Sequence, residues 1–470
     1  MNRATPINAM ILKAVGKPRR TFFVFLIAVL GAGMTHFGIS YWLRLKAIEE
    51  LAQIHAEVSW ETRRVRTPIF ECLALASYVL RPIWPDAANW VMKYSEFEVP
   101  TGVLLTPFPQ NGGFTRGTDG LRHLGVLRTI SNLELRYSDV DDRTLLQCSS
   151  LSNLAELYLD GTNVTDFGLR HLKNCGELEV LRINETRISG IGLRYLAGCT
   201  KLVTIDLERC PVTDDAMRGF PHLPALKCIN LSGTQVCGSG LAHVVQRCPQ
   251  LAKVTINGTN ASNEALLWLG LAKNLTVLRA ERTKITDSGL VFLKDAKCLR
   301  TLYLGETGIS GERLSDLASC SALQNLGLSG VPLTNLAATQ LASFPALERL
   351  DFSRSCVSHR GLAALRACQK LSSLRLNGAT ISNVDLAELA RFPRLRHLEI
   401  EEVDVTDSGI QRLAKSDSLQ QIYLWGTDCA ELGDGDLPPG NRIRWVRDSP
   451  VPNLTGVDNG CMSDSIDVDW

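Results

Sequence analysis

Residues 154–165 read LAELYLDGTNVT, with leucines in an L-x-x-L-x-L pattern at the head of the stretch. The same frame restarts every 24 residues, apart from one step of 25 residues between Leu226 and Leu251. The regular copies start at Leu154, Leu178, Leu202, Leu226, Leu251, Leu275, Leu299, Leu323, Leu347, Leu371, Leu395 and Leu419. A less regular copy begins at Ile130, which brings the number of starts to thirteen. A fixed period of this length, headed by leucines, predicts a solenoid of stacked repeats.

The head of each repeat alternates as a short strand does. Leu157 and Leu159 fall on one face and Tyr158 and Asp160 on the other, because side chains alternate along a strand. We expect the leucines to point into the core, so that the residues between them line an open, concave face. The stretch 165–172 has apolar residues at helical spacing behind residues suited to cap a helix. One strand and one short helix cannot bury their apolar faces alone, so neighbouring repeats are expected to stack.

The repeat also resembles a known type. The head L-x-x-L-x-L-x-x-T/C-x-I/V-T/S, followed by D-x-G-L-x-x-L and often a final cysteine, resembles the cysteine-containing subfamily of leucine-rich repeats. That subfamily includes the repeat halves of F-box substrate adaptors. The chain is also similar to membrane-anchored leucine-rich repeat proteins of planctomycete-type bacteria. The resemblance covers about two thirds of the chain. It implies an α/β solenoid with parallel strands on the concave face and short helices on the convex face, and it says little about function.

The cysteines follow the repeat. Five of the fourteen stand three residues before the first leucine of the next repeat: Cys175, Cys199, Cys248, Cys320 and Cys368. This shared position predicts one buried structural role at the end of each helix. Neighbouring helices pack about 8–10 Å apart, so we expect these cysteines to be too far apart for disulfide bonds. No C-x-x-C pair occurs, which argues against a zinc or redox site, and Cys461 is the cysteine we expect to be most exposed.

An apolar segment precedes the repeats. Residues 21–43 contain no Lys, Arg, Asp or Glu and would form about 35 Å of helix, which predicts a transmembrane anchor. Basic residues are more frequent in 1–20 than directly after the segment, where Arg44 and Lys46 stand. The positive-inside rule therefore predicts a single-pass membrane protein with a cytoplasmic N-terminus and an extracytoplasmic repeat domain. A cleaved signal peptide is the alternative, but Leu30-Gly31-Ala32 is a poor cleavage site in the middle of the run.

The rest of the chain divides around the repeats. We predict a helix over 45–58, from apolar residues at helical spacing, and a closing strand at 443–446. The C-terminal tail carries five aspartates and little apolar content, which is typical of disorder. The predicted regions are a basic cytoplasmic N-terminus (1–20), the anchor (21–43), a juxtamembrane region of helix and loop (44–105), the leucine-rich repeat domain with its N-terminal cap (106–429), a C-terminal cap (430–446) and a disordered tail (447–470).

Composition and motifs narrow the function. The 50 Lys and Arg residues almost cancel the 49 Asp and Glu residues, so there is no global attraction to nucleic acid or to an anionic surface. There is no G-x-S-x-G, H-E-x-x-H or P-loop sequence, and the eight histidines are scattered. We therefore predict no enzymatic activity, no cofactor, no metal, no nucleic acid and no small-molecule substrate.

The outward positions of the strands are the candidate binding site. They mix aromatic residues with both signs of charge, which suits a protein or peptide ligand. The candidate residues are Tyr158, Arg182, Arg279, Tyr303, Arg375, His397, Glu399, Glu401, Tyr423 and Trp425. Tyrosine, tryptophan and arginine are typical of interface hot spots. The alternative for Tyr423 and Trp425 is that they cover the C-terminal end of the solenoid.

The favoured function is a membrane-anchored scaffold that holds a protein or peptide on the concave face. The alternative, implied by the F-box resemblance, is the substrate-recognition subunit of an SCF-type ubiquitin ligase. That function requires a helical adaptor-binding module before the repeats, and residues 44–100 show no convincing match to one. An enzyme with an unrecognised site is the third and least favoured reading.

Overall fold

The computed structural model describes residues 46–47, 57–64, 96–104, 121, 124–426 and 444–446. The chain divides into two compact units, one made of residues 1–139 and 143–154 and the other of residues 140–142 and 155–470. Within the described residues, no helix has the length and hydropathy needed to cross a membrane. The predicted anchor, the basic N-terminus and the tail after residue 446 lie outside the described residues.

In the first unit, the described residues form three strands, β1 (Glu57–Arg64), β2 (Glu96–Leu104) and β3 (Asn132–Glu134). β1 and β2 are antiparallel with an irregularity between Ser59 and Trp60, and β2 and β3 are parallel. The prediction of helix and loop over 44–105 is therefore wrong for these two stretches, and only Lys46 and Ala47 of the predicted helix are described as helical. Val58, Trp60 and Thr62 alternate with polar residues, and this period of two outweighs the helical spacing.

The second unit contains thirteen strands, each parallel to the next. They are β4 (Glu156–Tyr158), β5 (Val180–Arg182), β6 (Thr204–Asp206), β7 (Cys228–Asn230), β8 (Lys253–Thr255), β9 (Val277–Arg279), β10 (Thr301–Tyr303), β11 (Asn325–Gly327), β12 (Arg349–Asp351), β13 (Ser373–Arg375), β14 (His397–Glu401), β15 (Gln421–Trp425) and β16 (Arg444–Val446). The closing strand predicted at 443–446 is present as β16, which pairs with β15.

Short helices alternate with the strands. The α-helices are α1 (Asp142–Cys148), α2 (Asp166–Leu169), α3 (Asp214–Met217), α4 (Ser239–Arg247), α5 (Asn263–Leu269), α6 (Asn335–Leu341), α7 (His359–Leu365), α8 (Asn383–Leu389) and α9 (Asp407–Leu413). The 3-10 helices are Leu124–Val126, Arg170–Leu172, Ile191–Gly198, Asp287–Asp295 and Leu314–Ser319. The predicted strand–helix repeat is therefore confirmed.

Leucines fill the space between the strands and the helices. In the repeat that begins at Leu154, the side chains of Leu157, Leu159, Val164 and Leu169 are all 0 % exposed. Complete burial of one such side chain contributes about 1.5–3 kcal/mol, and the same positions are buried in each of the following ten repeats, up to the one that begins at Leu395. The core is therefore one continuous apolar column, as the spacing predicts.

The single 25-residue step does not disturb the sheet. Cys228 on β7 pairs with Lys253 on β8, while β8 and β9 return to the 24-residue register with Lys253 opposite Val277. The intervening helix α4 is nine residues long, and Cys248 closes it with a bond to the carbonyl four residues back, that of Val244. The extra residue is therefore absorbed on the helical side, and the outward side chains stay in line.

A threonine closes the turn after six of the strands. The Thr162 hydroxyl donates to the carbonyl of Leu159 over 2.7 Å, so this position has a structural role. The same bond to the carbonyl three residues back is made by Thr186, Thr234, Thr259, Thr283 and Thr307. Cys210 stands in this position in one repeat, and its thiol donates to the Ile183 carbonyl instead.

The cysteines at the helix ends link one repeat to the preceding one. The Cys199 thiol donates to the Leu172 carbonyl over 3.3 Å, and burial raises the pKa of Cys199 to about 12. Cys320 and Cys368 make the equivalent bonds to carbonyls 27 residues earlier. Within the described part of the chain, Cys199, Cys320 and Cys368 form no disulfide bond. Cys461 lies outside the described residues.

Candidate functional site

The open sheet face comprises the outward side chains of strands β4–β15. For the three-residue strands β4–β13 it also includes the outward side chain among the next two residues. A left-handed residue follows this face in each repeat and forms what we call the edge ridge: Gly161, Glu185, Arg209, Gly233, Gly258, Arg282, Glu306, Gly330, Arg354, Gly378, Glu402 and Gly426. A glycine on this ridge leaves room for the long side chain beside it. A Cβ on Gly330, for example, would come within 3.0 Å of Glu306 Cγ. The ridge charges pair along the repeats, as in Arg282 with Glu306 at 2.9 Å.

An ion cluster that we call the Arg182 cluster occupies the N-terminal part of the face. Arg182 Nε lies 3.7 Å from Asp160 Oδ2 and 3.6 Å from Asp206 Oδ2, on the strands to either side. Asp160 Oδ1 accepts from the Asn184 backbone N–H, and Asn184 Oδ1 accepts from the Glu208 backbone N–H. These carboxylates are almost completely buried, and burial raises the pKa of Asp206 and of Glu208. The carboxylates of Asp160, Asp206 and Glu208 all accept hydrogen bonds inside the cluster, which therefore resembles a polar core.

A second cluster, which we call the Arg375 cluster, occupies the C-terminal part. Arg375 Nε donates to Glu399 Oε2 over 2.8 Å, and Arg375 Nη1 lies 3.6 Å from Asp351 Oδ2. The Asn377 amide donates to Glu399 over 2.7 Å and to Glu401 over 3.1 Å. Asn377 Oδ1 also accepts from the Glu401 backbone N–H, so one side chain orients both carboxylates.

An aromatic group lies beside this second cluster. The Arg279 guanidinium carbon is 5.3 Å from the centre of the Tyr303 ring, which is the geometry of a cation–π contact. The ring packs on β11 at Gly327, where an added Cβ would overlap it. Burial raises the pKa of the Tyr303 phenol, and the nearby charges include Arg279, Arg375 and Asp351. Arg279 itself is exposed and is therefore held on the surface by an aromatic platform.

The predicted site residues separate into two groups. Arg279, Tyr303, Arg375, Glu399 and Glu401 are brought together in neighbouring strands. Tyr158 and Arg182 lie apart from them, near the other end of the face. Tyr158 is only 5 % exposed, and its hydroxyl donates to Glu156, so it offers little surface to a ligand.

The remaining predicted residues lie on β14 and β15. Burial lowers the pKa of His397, with Arg396 and Arg349 acting in the same direction, so this exposed histidine is neutral near pH 7. The Tyr423 hydroxyl accepts from the Gln421 amide over 2.6 Å. Trp425 is 49 % exposed and lies opposite Glu401 in the strand register. The described residues of β16 pair with Gln421, Ile422 and Tyr423 of β15.

Asp351 and Asn377 were not among the predicted site residues. Both occupy outward positions, which strand alternation identifies, but their importance depends on partners in neighbouring repeats. The aspartate that begins several helices links neighbouring repeats. Asp166 accepts from the Ser189 backbone and hydroxyl and from the Gly192 backbone, so it caps the next repeat. Within the described residues, no group of three or more His, Cys, Asp or Glu side chains is placed to hold a metal ion.

Comparisons with known proteins support the fold. The solved structure of an internalin (inlF) from Listeria monocytogenes matches 76 % of this chain and 97 % of its own, with 20 % identity and a TM-score of 0.53. A plant peptide hormone receptor, RGFR1 in complex with RGF2, matches 69 % of this chain and 60 % of its own, with 17 % identity and a TM-score of 0.42. A TLR13–ssRNA13 complex matches the same shares at 16 % identity and a TM-score of 0.42.

No protein-family model matches the chain, and no curated protein matches it significantly. The internalin likeness shows the fold, so the chain has an α/β leucine-rich repeat solenoid with parallel strands. The cysteine-containing subfamily and the planctomycete-type relatives stay predictions from the sequence.

Proposed function

We propose that this protein is a non-enzymatic scaffold that binds an extended segment of a protein or peptide on the open sheet face, from β9 to β15. The observation that carries the proposal is the row of Arg279 on Tyr303, Arg375 with its carboxylates, and the exposed Trp425 on this part of the sheet. Arginine and aromatic residues supply most of the binding energy at protein interfaces.

The side chains of this region are held in place before any ligand arrives. Asn257 donates to Glu281, Asn377 donates to Glu399 and Glu401, and the Tyr303 ring packs on Gly327. Fixed side chains lose little conformational entropy on binding, which favours affinity. Strands about 4.8 Å apart give about 29 Å between β9 and β15, which an extended peptide of about nine residues would span.

The proposal includes the membrane anchor at residues 21–43, with a cytoplasmic N-terminus and the repeats outside the cytoplasm. Its support is the uncharged apolar segment and the excess of basic residues before it. Protease added to intact cells that express the chain is expected to digest the repeat domain and to spare the N-terminus. Complete protection of the repeats until the membrane is permeabilised would refute this topology.

The ubiquitin-ligase alternative receives no support from the described residues. The helical adaptor-binding module that it needs would precede the repeats. In that part of the chain β1 and β2 are strands. The scaffold is therefore the function that we carry forward.

A selection with a phage-displayed library of random dodecapeptides tests the binding proposal. The full chain in detergent is expected to enrich peptides, and the double variant Tyr303→Ala, Trp425→Ala is expected to lose most of the enrichment. The matched control is Phe167→Ala, because Phe167 is 68 % exposed on helix α2, away from the sheet. Failure of the folded wild-type chain to enrich any peptide, or equal enrichment by the double variant, would refute the proposal.

A further inference from the structure

The open sheet face between β9 and β15 has an uneven charge. Strands β9–β13 and their ridge residues carry five arginines (Arg279, Arg282, Arg349, Arg354 and Arg375) and three carboxylates (Glu281, Glu306 and Asp351). Strand β14 and its ridge residue carry three carboxylates (Glu399, Glu401 and Glu402), and the histidine beside them is neutral near pH 7. The face therefore changes from a positive to a negative surplus between β13 and β14.

Arg279 stands at the positive end. Its guanidinium lies over the Tyr303 ring, and within the described residues no carboxylate oxygen lies within 4 Å of it. Most other arginines of this region are already paired: Arg282 and Arg354 with Glu306, and Arg375 with Glu399. Arg279 is exposed, so its charge faces solvent on a fixed platform. A ligand carboxylate placed there would gain a charge-assisted hydrogen bond.

Glu401 stands at the negative end. Its carboxylate accepts from the neutral Asn377 amide, and the described residues place no cation within 4 Å of it. Burial and the neighbouring Glu399 and Glu402 raise its pKa. The register places the exposed Trp425 directly opposite Glu401. A carboxylate with an exposed tryptophan opposite it on the next strand suits a lysine or arginine side chain, which can form both an ion pair and a cation–π contact.

We infer that the ligand is an extended peptide with segregated charge, an acidic residue docking on Arg279 and a basic residue docking between Glu401 and Trp425. The inference rests on the proposed function, because it names the ligand of that same face. Arg279 on β9 and Glu401 on β14 are five strand steps apart, which is about 24 Å at about 4.8 Å per step. An extended peptide covers that distance in about seven residues, so the two charges of the ligand are about seven residues apart.

Charge reversal tests the inference in the same dodecapeptide selection. The wild-type full chain is expected to enrich peptides with an acidic and a basic residue about seven positions apart. Arg279→Glu is expected to replace the acidic preference by a basic one and to leave the basic preference unchanged. Glu401→Lys is expected to do the converse. One enriched peptide, measured by fluorescence anisotropy, is expected to lose about 10-fold in affinity to either variant, and the peptide with that charge reversed is expected to recover it.

Two matched controls lie on the helical side of the repeats. Arg194→Glu removes an equivalent stack, because the Arg194 guanidinium lies 5.1 Å from the centre of the Tyr195 ring. Glu264→Lys removes an equivalent glutamate–tryptophan pair, since the Trp268 indole N–H donates to Glu264. Both are expected to leave the selected sequences unchanged, and the unfolding midpoint of each variant confirms that it is folded.

The outcomes separate the two proposals. If the wild-type chain enriches no peptide, the proposed function fails. If it enriches peptides without segregated charge, or if neither reversal changes the selected sequences, the scaffold function stands and the charge-segregated ligand is overturned. Equal changes in the helical-side controls would also overturn it, because the effect would then come from net charge.

Discussion

The Arg182 and Arg375 clusters are built from almost the same sequence. One reads LRIN at 181–184, with an aspartate and a glutamate at positions 206 and 208 of the next repeat, and the other reads LRLN at 374–377, with glutamates at 399 and 401. Both arginines lie between carboxylates of neighbouring strands. Yet the Arg182 side chain is 13 % exposed and the Arg375 side chain 22 %, and Glu208 is 7 % exposed whereas Glu401 is half-buried.

The next repeat makes the difference. Beside Glu208, Asn230 donates an amide hydrogen to the carboxylate, and Arg209 lies 3.6 Å away. Beside Glu401 stands Trp425, which brings no cation to the carboxylate. The same charged pattern thus forms an enclosed polar cluster at one position and a candidate binding surface at the other. Asn230 and Arg209 beside Glu208, and Trp425 beside Glu401, make this difference.

The largest expected effect is on the free energy of unfolding, which Arg182→Ala should lower more than Arg375→Ala. Arg182→Ala leaves Asp160 and Asp206 buried without their cation, so we expect a loss of about 3 kcal/mol in the free energy of unfolding. Arg375→Ala, at a more exposed cluster, is expected to lose about half as much. Urea unfolding followed by circular dichroism measures both. Partial rescue of Arg182→Ala by a second change, Asp206→Asn, is expected, and equal losses at the two sites would show that the clusters do not differ.

The second prediction concerns the aromatic platform of the Arg375 cluster. Gly327→Ala places a methyl group into the Tyr303 ring, so we expect a loss of about 1–3 kcal/mol and a displaced ring. Peptide binding should fall with it, because Arg279 depends on that ring for its position. Gly176→Ala is the control, since its nearest neighbour would be an ordinary 3.8 Å away. If Gly327→Ala destabilises the protein but leaves peptide binding unchanged, the Tyr303 ring is not needed for binding.

The third prediction concerns how the buried aspartates Asp206 and Asp351 make stability depend on pH. Burial raises the pKa of Asp206 and of Asp351 above the usual 3.8. The stability that each protonated carboxyl contributes is therefore present in full below pH 3.8 and is lost as the pH rises through the raised pKa. Asparagine does not titrate. As the pH rises, the Asp206→Asn and Asp351→Asn variants are therefore each expected to lose less stability than the wild type. Urea midpoints measured at intervals from about pH 4 to pH 7 test this, and a steeper fall in either variant would contradict the burial of that carboxylate.

The smallest effect on stability is expected at Trp425. Half of its surface is exposed, so Trp425→Ala should change the free energy of unfolding by about 0.5 kcal/mol or less. Its effect on peptide binding should be much larger, because Trp425 is exposed and lies opposite Glu401 in the strand register. If the substitution instead lowers the unfolding midpoint strongly and leaves binding intact, Trp425 covers the end of the sheet, which is the alternative that the sequence left open.

Most of the repeat architecture could be predicted from the sequence. The 24-residue spacing of Leu157, Leu181 and their equivalents predicts the strand register, and the register pairs these leucines. The buried position of the helix-end cysteines was also predicted correctly, because these cysteines bond at a fixed separation along the chain. The antiparallel pair β1 and β2 was missed, since no repeat reinforces the weak alternation at Val58 and Trp60.

The candidate site was only partly predictable. Alternation assigned Arg375 and Glu401 to the open sheet face, but it did not show that Asn377 joins Glu399 to Glu401 or that Tyr303 packs on Gly327. Those contacts depend on distances between side chains of different repeats. The same alternation selected Tyr158, which the structure shows to be buried.

The sequence by itself determined which side chains face the core and which face outward, because the leucine period is local and repeats many times. Only the tertiary structure decided which outward charges neutralise each other and which remain available to a ligand. The physical reason is that the direction of a side chain, toward the core or away from it, follows from the residue's own position in the repeat. The strength of an ion pair or a cation–π contact depends instead on the side chains that the neighbouring strands place a few ångströms away.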